Sequence, residues 1–535
     1  MTIFGGAADL PARLRFNVPI IWMLALAAAG AACIPLVYLV IRAAEADADA
    51  WSKIVADSTL RLLLNTAGLA AAVTAASAAL ALPIAYLTER TDLPFARVWR
   101  TITIMPLAIP SYVGAFAFII ALGPYGSLQD LLAPLGVENI PSIYGFVGAW
   151  LTLTLFTFPY LLLVVRAGLR DLDPAIEEAA RSLGQSAWGT FWRVTVPQLR
   201  VPIAGGSLLV ALYVISDFGA VSMMQFDTFT RAIYVRFGSS FDRSSVAVLS
   251  LVLVALVALV LAIDWSQRRS AKYHRLGTGA AKTPRLVSLR RFRWPALLGL
   301  FVVSAVALLV PIGVLFHWLS VGLQNGETFP GVWSAALNSV YASGLAGAVT
   351  VAVSIPIALV VVRRPGFLSR IVDRAAYVGY ALPGVIVAFA LIFFTLRVTP
   401  GLYQTIATLV FAYAVLFLPQ AISGVRASMV RVQPGLEEAA RSLNRTPWQT
   451  FYSITLPLIA PGVLAAFALV FLTTMKELPA TLLLAPIEFD TLATTLWGHQ
   501  EDVFFARASA AALLLLACAA LPMMILFGRD RELRA

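Results

Sequence analysis

The chain has 535 residues, of which 60% are hydrophobic and only 13% are charged. Long apolar runs alternate with short polar ones, which excludes a soluble globular protein and is typical of a polytopic membrane protein. The net charge of +11 does not indicate a nucleic-acid partner, because the basic residues lie in short segments between apolar runs, where positive-inside topology accounts for them.

About twelve apolar windows are long enough to cross a bilayer core of about 30 Å as helices. Helices are expected because every backbone amide in lipid must be hydrogen-bonded within its own segment. The first window is too long for the apolar region of a secretory signal, so we interpret it as a span. The predicted spans are approximately 18–41, 59–87, 99–122, 143–166, 199–224, 245–264, 295–320, 333–362, 371–397, 403–425, 459–485 and 507–528.

The distribution of arginine and lysine among the loops predicts the orientation of the chain. The segment after the first span, Glu45 to Asp49, is acidic, whereas residues 90–100 and the tail at 529–534 are basic. Both termini are therefore predicted to face the cytoplasm. The densest basic run, at 265–294, is interpreted as a cytoplasmic linker between a first half at 1–264 and a second half at 295–535, with contact to anionic lipid as a lesser possibility.

The two halves are copies of one another. Three positions of the first half recur in the second at a constant offset of 273 residues, as Asn65 and Asn338, Pro83 and Pro356, and Pro110 and Pro383. A ten-residue segment that begins at Pro174 recurs from Pro434, at an offset of 260. This internal duplication predicts two parallel six-helix halves, related by a pseudo-twofold axis along the membrane normal, with a pathway between them. A secondary transporter of the major-facilitator kind would fit the duplication equally well.

A polar loop joins the fourth and fifth spans of each half, at about 169–197 and 429–457. Each loop carries Glu-Glu-Ala-Ala-Arg-Ser-Leu, and local chemistry predicts two short helices in it. Proline at 174 and 434 suits a first helical position, and the acidic residues after it complement the helix dipole. Gly184 and Asn444 tolerate a positive φ and are expected to end the first helix. The second short helix is expected to run to Pro197 or Pro457, which then opens the next span.

Both loops resemble the EAA loop of ABC import permeases: a Glu-Ala-Ala triplet, three residues, glycine, nine residues, and an aliphatic-x-leucine-proline ending. The spacing is kept at Glu178–Pro197 and Glu438–Pro457, with Asn444 in place of glycine and Val196 in place of leucine. The alternative, two amphipathic cytoplasmic helices that only pack on the bundle, is disfavoured by the occurrence of two copies at matched topology.

The resemblance implies an all-α type I ABC importer permease in the cell inner membrane. It further implies that two copies of a separate ATPase subunit dock on the loops and that an extracytoplasmic substrate-binding protein delivers the cargo. The coupling residues that it implies are Glu178, Ala179, Ala180, Gly184, Glu438, Ala439, Ala440 and Asn444. The chain is not itself the ATPase, because no G-x-x-x-x-G-K-[ST] phosphate loop surrounds any of its lysines.

The fusion of two such loops in one chain is similar to the ferric iron permeases and their thiamine relatives. Segments 216–221 and 227–234 resemble the fifth span of the iron permeases and its exit, and segments 476–482 and 489–493 resemble the corresponding part of the second half. The resemblance implies ferric iron as the cargo, and thiamine, a polyamine or an organic anion are the alternatives.

Asp217 and Glu477 support a cationic cargo on independent grounds. They differ by 260 positions, so they occupy equivalent sites, each within a predicted apolar helix. Ionisable groups at membrane depth are costly and usually face a cavity or a partner. A symmetric pair of carboxylates favours a cation, and ferric iron prefers hard oxygen donors. The equally weighted alternative is that Glu477 pairs with Lys476 or caps a broken helix.

No catalytic, cofactor or resident metal site is expected. His274, His317 and His499 are scattered over the linker, an external helix end and an external loop, and the two cysteines, Cys33 and Cys518, fall inside apolar runs. No cluster of carboxylates or nucleophiles indicates catalysis, so a membrane-bound enzyme is disfavoured.

Overall fold

A computed structural model describes residues 19–52, 56–123, 141–239, 243–270 and 286–532, together with the isolated positions 126, 129 and 133. The central part of the predicted linker, with His274, lies outside these ranges, as do most of the external loop at 123–142 and both chain ends. Within the described ranges the chain is helical, and extended pairing is limited to one isolated bridge between Thr91 and Val287.

In the described part of the chain, up to eleven apolar helical segments are long enough to cross a membrane, three of them bent pairs, and together with a shorter apolar stretch in the last helix they correspond to the twelve predicted spans. Those of the first half are Pro19–Ala44, Asp57–Arg90, Ala96–Ala108 with Ser111–Leu122, Phe146–Asp171, Ala187–Gln198 with Arg200–Ser216, and Arg243–Ser270. Those of the second half are Arg290–Gln324, Val332–Arg363, Phe367–Ala381 with Gly384–Val398, Ile406–Met429, Pro447–Met475 and Phe505–Glu532. Short helices lie between them at Ala48–Ser52, Pro174–Ser182, Gly219–Met223, Phe229–Ser239, Pro434–Ser442, Pro479–Leu484 and Leu492–Glu501.

The third and fifth spans of each half are broken, which corrects the prediction of continuous helices at 99–122, 199–224, 371–397 and 459–485. The two parts of the third spans meet at 93° and 105°, at Pro110 and Pro383. Proline lacks an amide donor and clashes with the preceding turn, so the helix ends before it and a new one begins after it. The fifth spans end at Ser216 and Met475, and each is followed by a short helix.

The duplication seen in the sequence is repeated in the hydrogen bonds. The Asn65 and Asn338 side chains each donate to a backbone carbonyl in the loop after the broken fifth span, that of Asp227 or Asp490, over 2.9 Å in both halves. Equivalent positions of the two halves therefore occupy equivalent places in the fold, as the constant offset predicts.

The first span of each half packs against the other half. Pro19–Ala44 lies against Val332–Arg363 and Gly384–Val398 of the second half, and Val310–Gln324 lies against Ser111–Leu122 of the first. Aromatic pairs join these surfaces, with ring centroids 5.6 Å apart for Tyr38 and Phe394. Because each half covers apolar surface of the other, the two halves form one intertwined bundle.

Candidate coupling loops and pathway break

The first short helix of each loop begins and ends as the sequence predicts. Pro174–Ser182 starts after Asp173, whose carboxylate accepts a hydrogen bond from the Ala175 amide over 3.0 Å. Gly184 then takes a φ of +87°. The second copy, Pro434–Ser442, is followed by Asn444 at a φ of +61°. Glycine and asparagine are the residues that tolerate this left-handed conformation best, so both loops turn at the same place.

The prediction that a proline opens the fifth span is wrong in the first half, where Arg200–Ser216 begins after Pro197, but is confirmed in the second half, where the α-helix Leu456–Met475 has Pro457 in its first turn. In the second half this helix continues directly from the short helix before it, so one apolar helical segment runs from Pro447 to Met475. In the first half the segment bends by 71° at Leu199, two residues after Pro197. Both segments contain a π-helical turn, at Phe191–Thr195 and Phe451–Thr455. Such turns widen a helix locally and often mark functional sites.

The first glutamate of each Glu-Glu pair anchors its loop to the bundle. Glu437 is only 5% exposed, and its Oε1 accepts hydrogen bonds from Arg363 Nη2 and Thr455 Oγ1, both over 3.0 Å. Arg363 is the last residue of the second span of its half, and its Nη2 also donates to the Val432 carbonyl over 3.1 Å. The loop is thereby tied to the span and to the π-helical turn at one carboxylate.

The first half repeats this anchor with looser geometry. Thr195 Oγ1 donates to Glu177 Oε1 over 2.9 Å, and Arg90 Nε lies 3.7 Å from Glu177 Oε2. Arg90 Nη2 also donates to the Leu169 carbonyl over 2.8 Å. Neither anchor was predicted from the sequence. The sequence did contain a signal for the anchors, because Arg90 recurs as Arg363 at the offset of 273 and Thr195 recurs as Thr455 at the offset of 260.

The residues predicted to couple the loops to a partner lie mostly on the opposite, outer face. Glu178, Ala179, Glu438 and Ala439 are exposed, as are the two turn residues at 184 and 444. Ala440 is buried and Ala180 half-buried, because residues three apart on a helix share a face and both follow the anchoring glutamates at that spacing. One face of each short helix therefore binds the bundle, and the other is free of it.

Each loop also exposes large apolar side chains on its surface. Leu183 is 85% and Trp188 70% exposed, and their counterparts Leu443 and Trp448 are 80% and 44% exposed. In the first loop Trp188 stacks near Phe191, with ring centroids 5.9 Å apart. Large apolar side chains gathered on one exposed surface mark an interaction site.

The end of the predicted linker is clasped onto the first half alone. The Val287 amide donates a hydrogen bond to the Arg90 carbonyl over 2.9 Å, and the Val287 carbonyl accepts one from the Asp92 amide over 3.1 Å. The Asp92 carboxylate accepts the Leu289 amide over 2.7 Å and lies 3.8 Å from Arg293 Nη2. The Leu289 amide, assisted by Ser288 and Arg293, lowers the pKa of Asp92 below its ordinary value, although burial acts against it.

Asp217 and Glu477 lie at equivalent breaks between the halves. Asp217 Oδ1 accepts the Ala220 amide over 2.9 Å, and Glu477 Oε1 accepts the Ala480 amide over 3.1 Å, so each carboxylate caps the short helix that follows it. Asp217 Oδ2 accepts a hydrogen bond from Ser111 Oγ over 2.5 Å. The position equivalent to Ser111 in the second half is Gly384, where an added Cβ would clash with Glu477 Oε1.

Of the two structural alternatives considered for Glu477, capping of a broken helix is the one observed. Lys476 Nζ instead donates to the Leu107 carbonyl of the first half over 2.9 Å. Glu477 and Lys476 therefore bind different partners, although they are adjacent in sequence.

The described histidines do not meet. His499 lies on the helix Leu492–Glu501 and not in a loop, which corrects the prediction, and His317 lies on Val310–Gln324. Within the described ranges, no three His, Cys, Asp or Glu side chains are grouped so that they could hold a metal ion.

Eight to eleven apolar spans in two intertwined halves, each half with an anchored polar loop, define a multi-pass membrane protein in the described part of the chain. Residues 80–272 and 350–529 match the family of binding-protein-dependent transport system inner membrane components, and the chain belongs to that family. The prediction of a fused ABC import permease is therefore confirmed, and the alternative of a secondary transporter is set aside.

Individual relatives extend the similarity over almost the whole chain. The chain is 35% identical to the Fe(3+)-transport system permease protein FbpB 2 of Haemophilus influenzae, over 92% of this chain and 95% of that protein. It is 23% identical to the ferric transport system permease protein FbpB of Actinobacillus pleuropneumoniae, over 83% and 67% of the two chains. It is also 29% identical to the molybdenum transport system permease protein ModB of Mycobacterium tuberculosis, over 39% of this chain and 80% of that protein.

Proposed function

We propose that this chain is the permease subunit of a ferric iron importer. An extracytoplasmic binding protein delivers the iron, and two copies of a separate ATPase subunit drive its passage between the two halves. The observation that carries the proposal is the 35% identity, over 92% of the chain, to a relative named as an Fe(3+)-transport permease. The fusion of both halves into one chain supports it.

The orientation in this proposal places both termini and both loops in the cytoplasm of a bacterial inner-membrane protein. It rests on the excess of arginine and lysine in the loops that would be cytoplasmic. The anchors are consistent with this arrangement, because they place both loops on the same side of the bundle as the span ends at Arg90 and Arg363.

The ATPase subunits bind the outer face of the two short helices. Leu183 and Leu443 would supply apolar contact there, and Glu178 and Glu438 would supply charge pairing. Glu177 and Glu437 fix the opposite face of each short helix to the bundle. A displacement of the short helix by the ATPase is therefore transmitted to the end of the span that carries the arginine. Coupling of this kind needs both a docking face and a stiff anchor.

The test of this assignment replaces Glu178 and Glu438 together by alanine. Because both side chains are exposed, the melting temperature of the permease should stay unchanged, while iron uptake falls about tenfold or more as charge pairing is lost. ATP hydrolysis by the reconstituted complex should no longer respond to the binding protein. Normal uptake with ordinary stimulation of ATP hydrolysis would contradict the coupling role.

Asp217 and Glu477 line the pathway in this proposal and pass the cation onward. Their equivalent places at the two breaks and the burial of Asp217 support this role. Each caps a short helix in this structure, so a cation would be met when that helix moves. Capping and passage would then use the same carboxylates at different stages.

Replacement of Asp217 by asparagine and Glu477 by glutamine separates the two roles. If the carboxylates meet the cargo, uptake of iron falls while ATP hydrolysis still responds to the iron-loaded binding protein, because the loops are untouched. If they only cap helices, the melting temperature of the purified permease falls, or uptake by the double variant stays normal. Uptake of ⁵⁵Fe and a thermal unfolding curve, measured on the same preparation, decide between these outcomes.

A further inference from the structure

Lys476 makes a hydrogen bond that crosses from one half of the molecule to the other. It follows Met475, the last residue of the fifth span of the second half, and its Nζ donates to the Leu107 carbonyl over 2.9 Å. Leu107 belongs to the short 3₁₀ turn Met105–Ala108 of the first half, just before the break at Pro110. The bond therefore joins the broken third span of one half to the broken fifth span of the other.

A lysine at this depth needs a strong reason for its placement, because a charged side chain within a bilayer is costly. Its nearest neighbour in sequence is a carboxylate, yet Glu477 Oε1 is bound to the Ala480 amide. The ammonium group instead reaches a backbone carbonyl 369 residues away in the chain. The direction of the Lys476 side chain is thus set by the contact between the two halves and not by the neighbouring carboxylate of Glu477.

The contact has no counterpart in the duplicated half. The position equivalent to Lys476 is Ser216, and the position equivalent to Leu107 is Tyr380. Two identical permease subunits would carry this lysine twice or not at all. A fused chain can place a cation in one half without its counterpart in the other, and this chain does so with Lys476 beside the two breaks.

We propose that Lys476 is the latch of the pathway, a positioning residue that holds the halves together while the pathway is closed. The halves must separate at this level for cargo to pass, so the bond to the Leu107 carbonyl must break in every cycle. A hydrogen bond with one charged partner biases the closed arrangement by roughly tenfold or more. The latch depends on the transport family of the chain and not on the identity of its cargo.

The experiment measures access to the break in the permease reconstituted in lipid vesicles with its ATPase subunits. Cys33 and Cys518 are replaced by alanine, and Ser216→Cys serves as the reporter. We expect K476M to raise the labelling rate of the reporter by a membrane-impermeant thiol reagent about tenfold, and to raise ATP hydrolysis in the absence of the binding protein. K476R, which keeps a charged donor, should restore both values toward those of the parent.

A matched control removes a cation that makes no such contact across the halves. Arg61 is exposed near the start of the second span of the first half, and R61M should leave labelling and basal ATP hydrolysis unchanged. If K476M labels at the parental rate, or if it lowers the melting temperature without changing labelling, the latch is overturned.

A double cysteine variant tests the latch separately if K476M folds poorly. Leu107→Cys combined with Lys476→Cys can be joined by a short bifunctional thiol reagent that contains a cleavable bond. Joining the two positions should stop uptake, and cleaving the reagent should restore it. Uptake that continues in the joined protein would refute the latch. Because labelling needs no iron, a wrong assignment of the cargo would leave the labelling result unaffected.

Discussion

The two coupling loops have the same anchor but different surroundings. In the second half Arg363 binds Glu437 at 3.0 Å, whereas in the first half Arg90 stands 3.7 Å from Glu177 and the linker is clasped onto the neighbouring backbone. The position equivalent to Asp92, which holds that clasp, is Pro365. The second loop is thus held by a tight ion pair, and the first by a weaker pair with additional support from the linker.

The breaks show the same pattern of shared backbone and divergent side chains. Both halves cap the short helix with a carboxylate, but the position of Ser111 holds a glycine in the other copy, and that of Lys476 holds a serine. Where the fourth and fifth spans touch, the rings of Tyr160 and Tyr213 lie 5.6 Å apart, and the equivalent positions hold a hydrogen bond from Thr473 to Gln420. Duplication therefore preserves turns and helix starts, while contacts between side chains are free to change.

The largest expected effect comes from breaking the tight anchor of the second half. Glu437→Ala leaves the Arg363 guanidinium without its carboxylate, and removal of one partner from a buried pair costs about 3–5 kcal/mol. Glu177→Ala should cost less, because its ion pair with Arg90 is longer, at 3.7 Å against 3.0 Å for Arg363 and Glu437. Chemical unfolding of the purified permease would rank the two variants.

The neighbouring exposed glutamate provides the control for this ranking. Glu438→Ala should change the unfolding free energy by less than about 0.5 kcal/mol, since surface substitutions away from special contacts usually do so. If Glu437→Ala and Glu438→Ala were equally stable, the anchoring role of Glu437 would be wrong.

A smaller effect is expected at the turns that end the short helices. Gly184→Ala forces a Cβ into the left-handed region and should cost about 1–2 kcal/mol, whereas Asn444→Gly should be neutral or slightly stabilising. Limited proteolysis of the two loops, compared variant by variant, measures the loss of local order. An alanine at 184 that left the first loop as resistant as the parent would show that this turn is not constrained.

The smallest effect is expected at the clasp, the set of hydrogen bonds that joins Val287 and Leu289 of the linker to Arg90 and Asp92 of the first half. Because the folded-state pKa of Asp92 is depressed, its contribution to stability is present above the unfolded value of about 3.9 and is lost as the pH falls through the folded value. Amide exchange at Val287 and Leu289 should therefore show equal protection at pH 6 and pH 8 after correction for the intrinsic rate. Asp92→Asn should lower that protection while leaving the anchor at Glu437 unaffected, and unchanged exchange in this variant would contradict the clasp.

Much of this architecture could be predicted from the sequence, because it depends on local chemistry. The apolar windows correspond to the twelve spans, the two offsets identify the duplication, and Gly184 and Asn444 mark turns that require a positive φ. These features follow from helical rise, lipid exclusion of bare amides and backbone sterics, each of which acts within a few residues.

Tertiary structure alone decided which groups meet. Each loop has two adjacent glutamates. The first points toward the bundle because an arginine from a distant span and a threonine from the π-helical turn lie there and bind it. The packing of each first span against the other half and the reach of Lys476 to Leu107 also depend on contacts between remote segments. The reason is physical: a buried charge takes the partner that the folded bundle brings within reach, and its neighbours in sequence do not determine which partner that is.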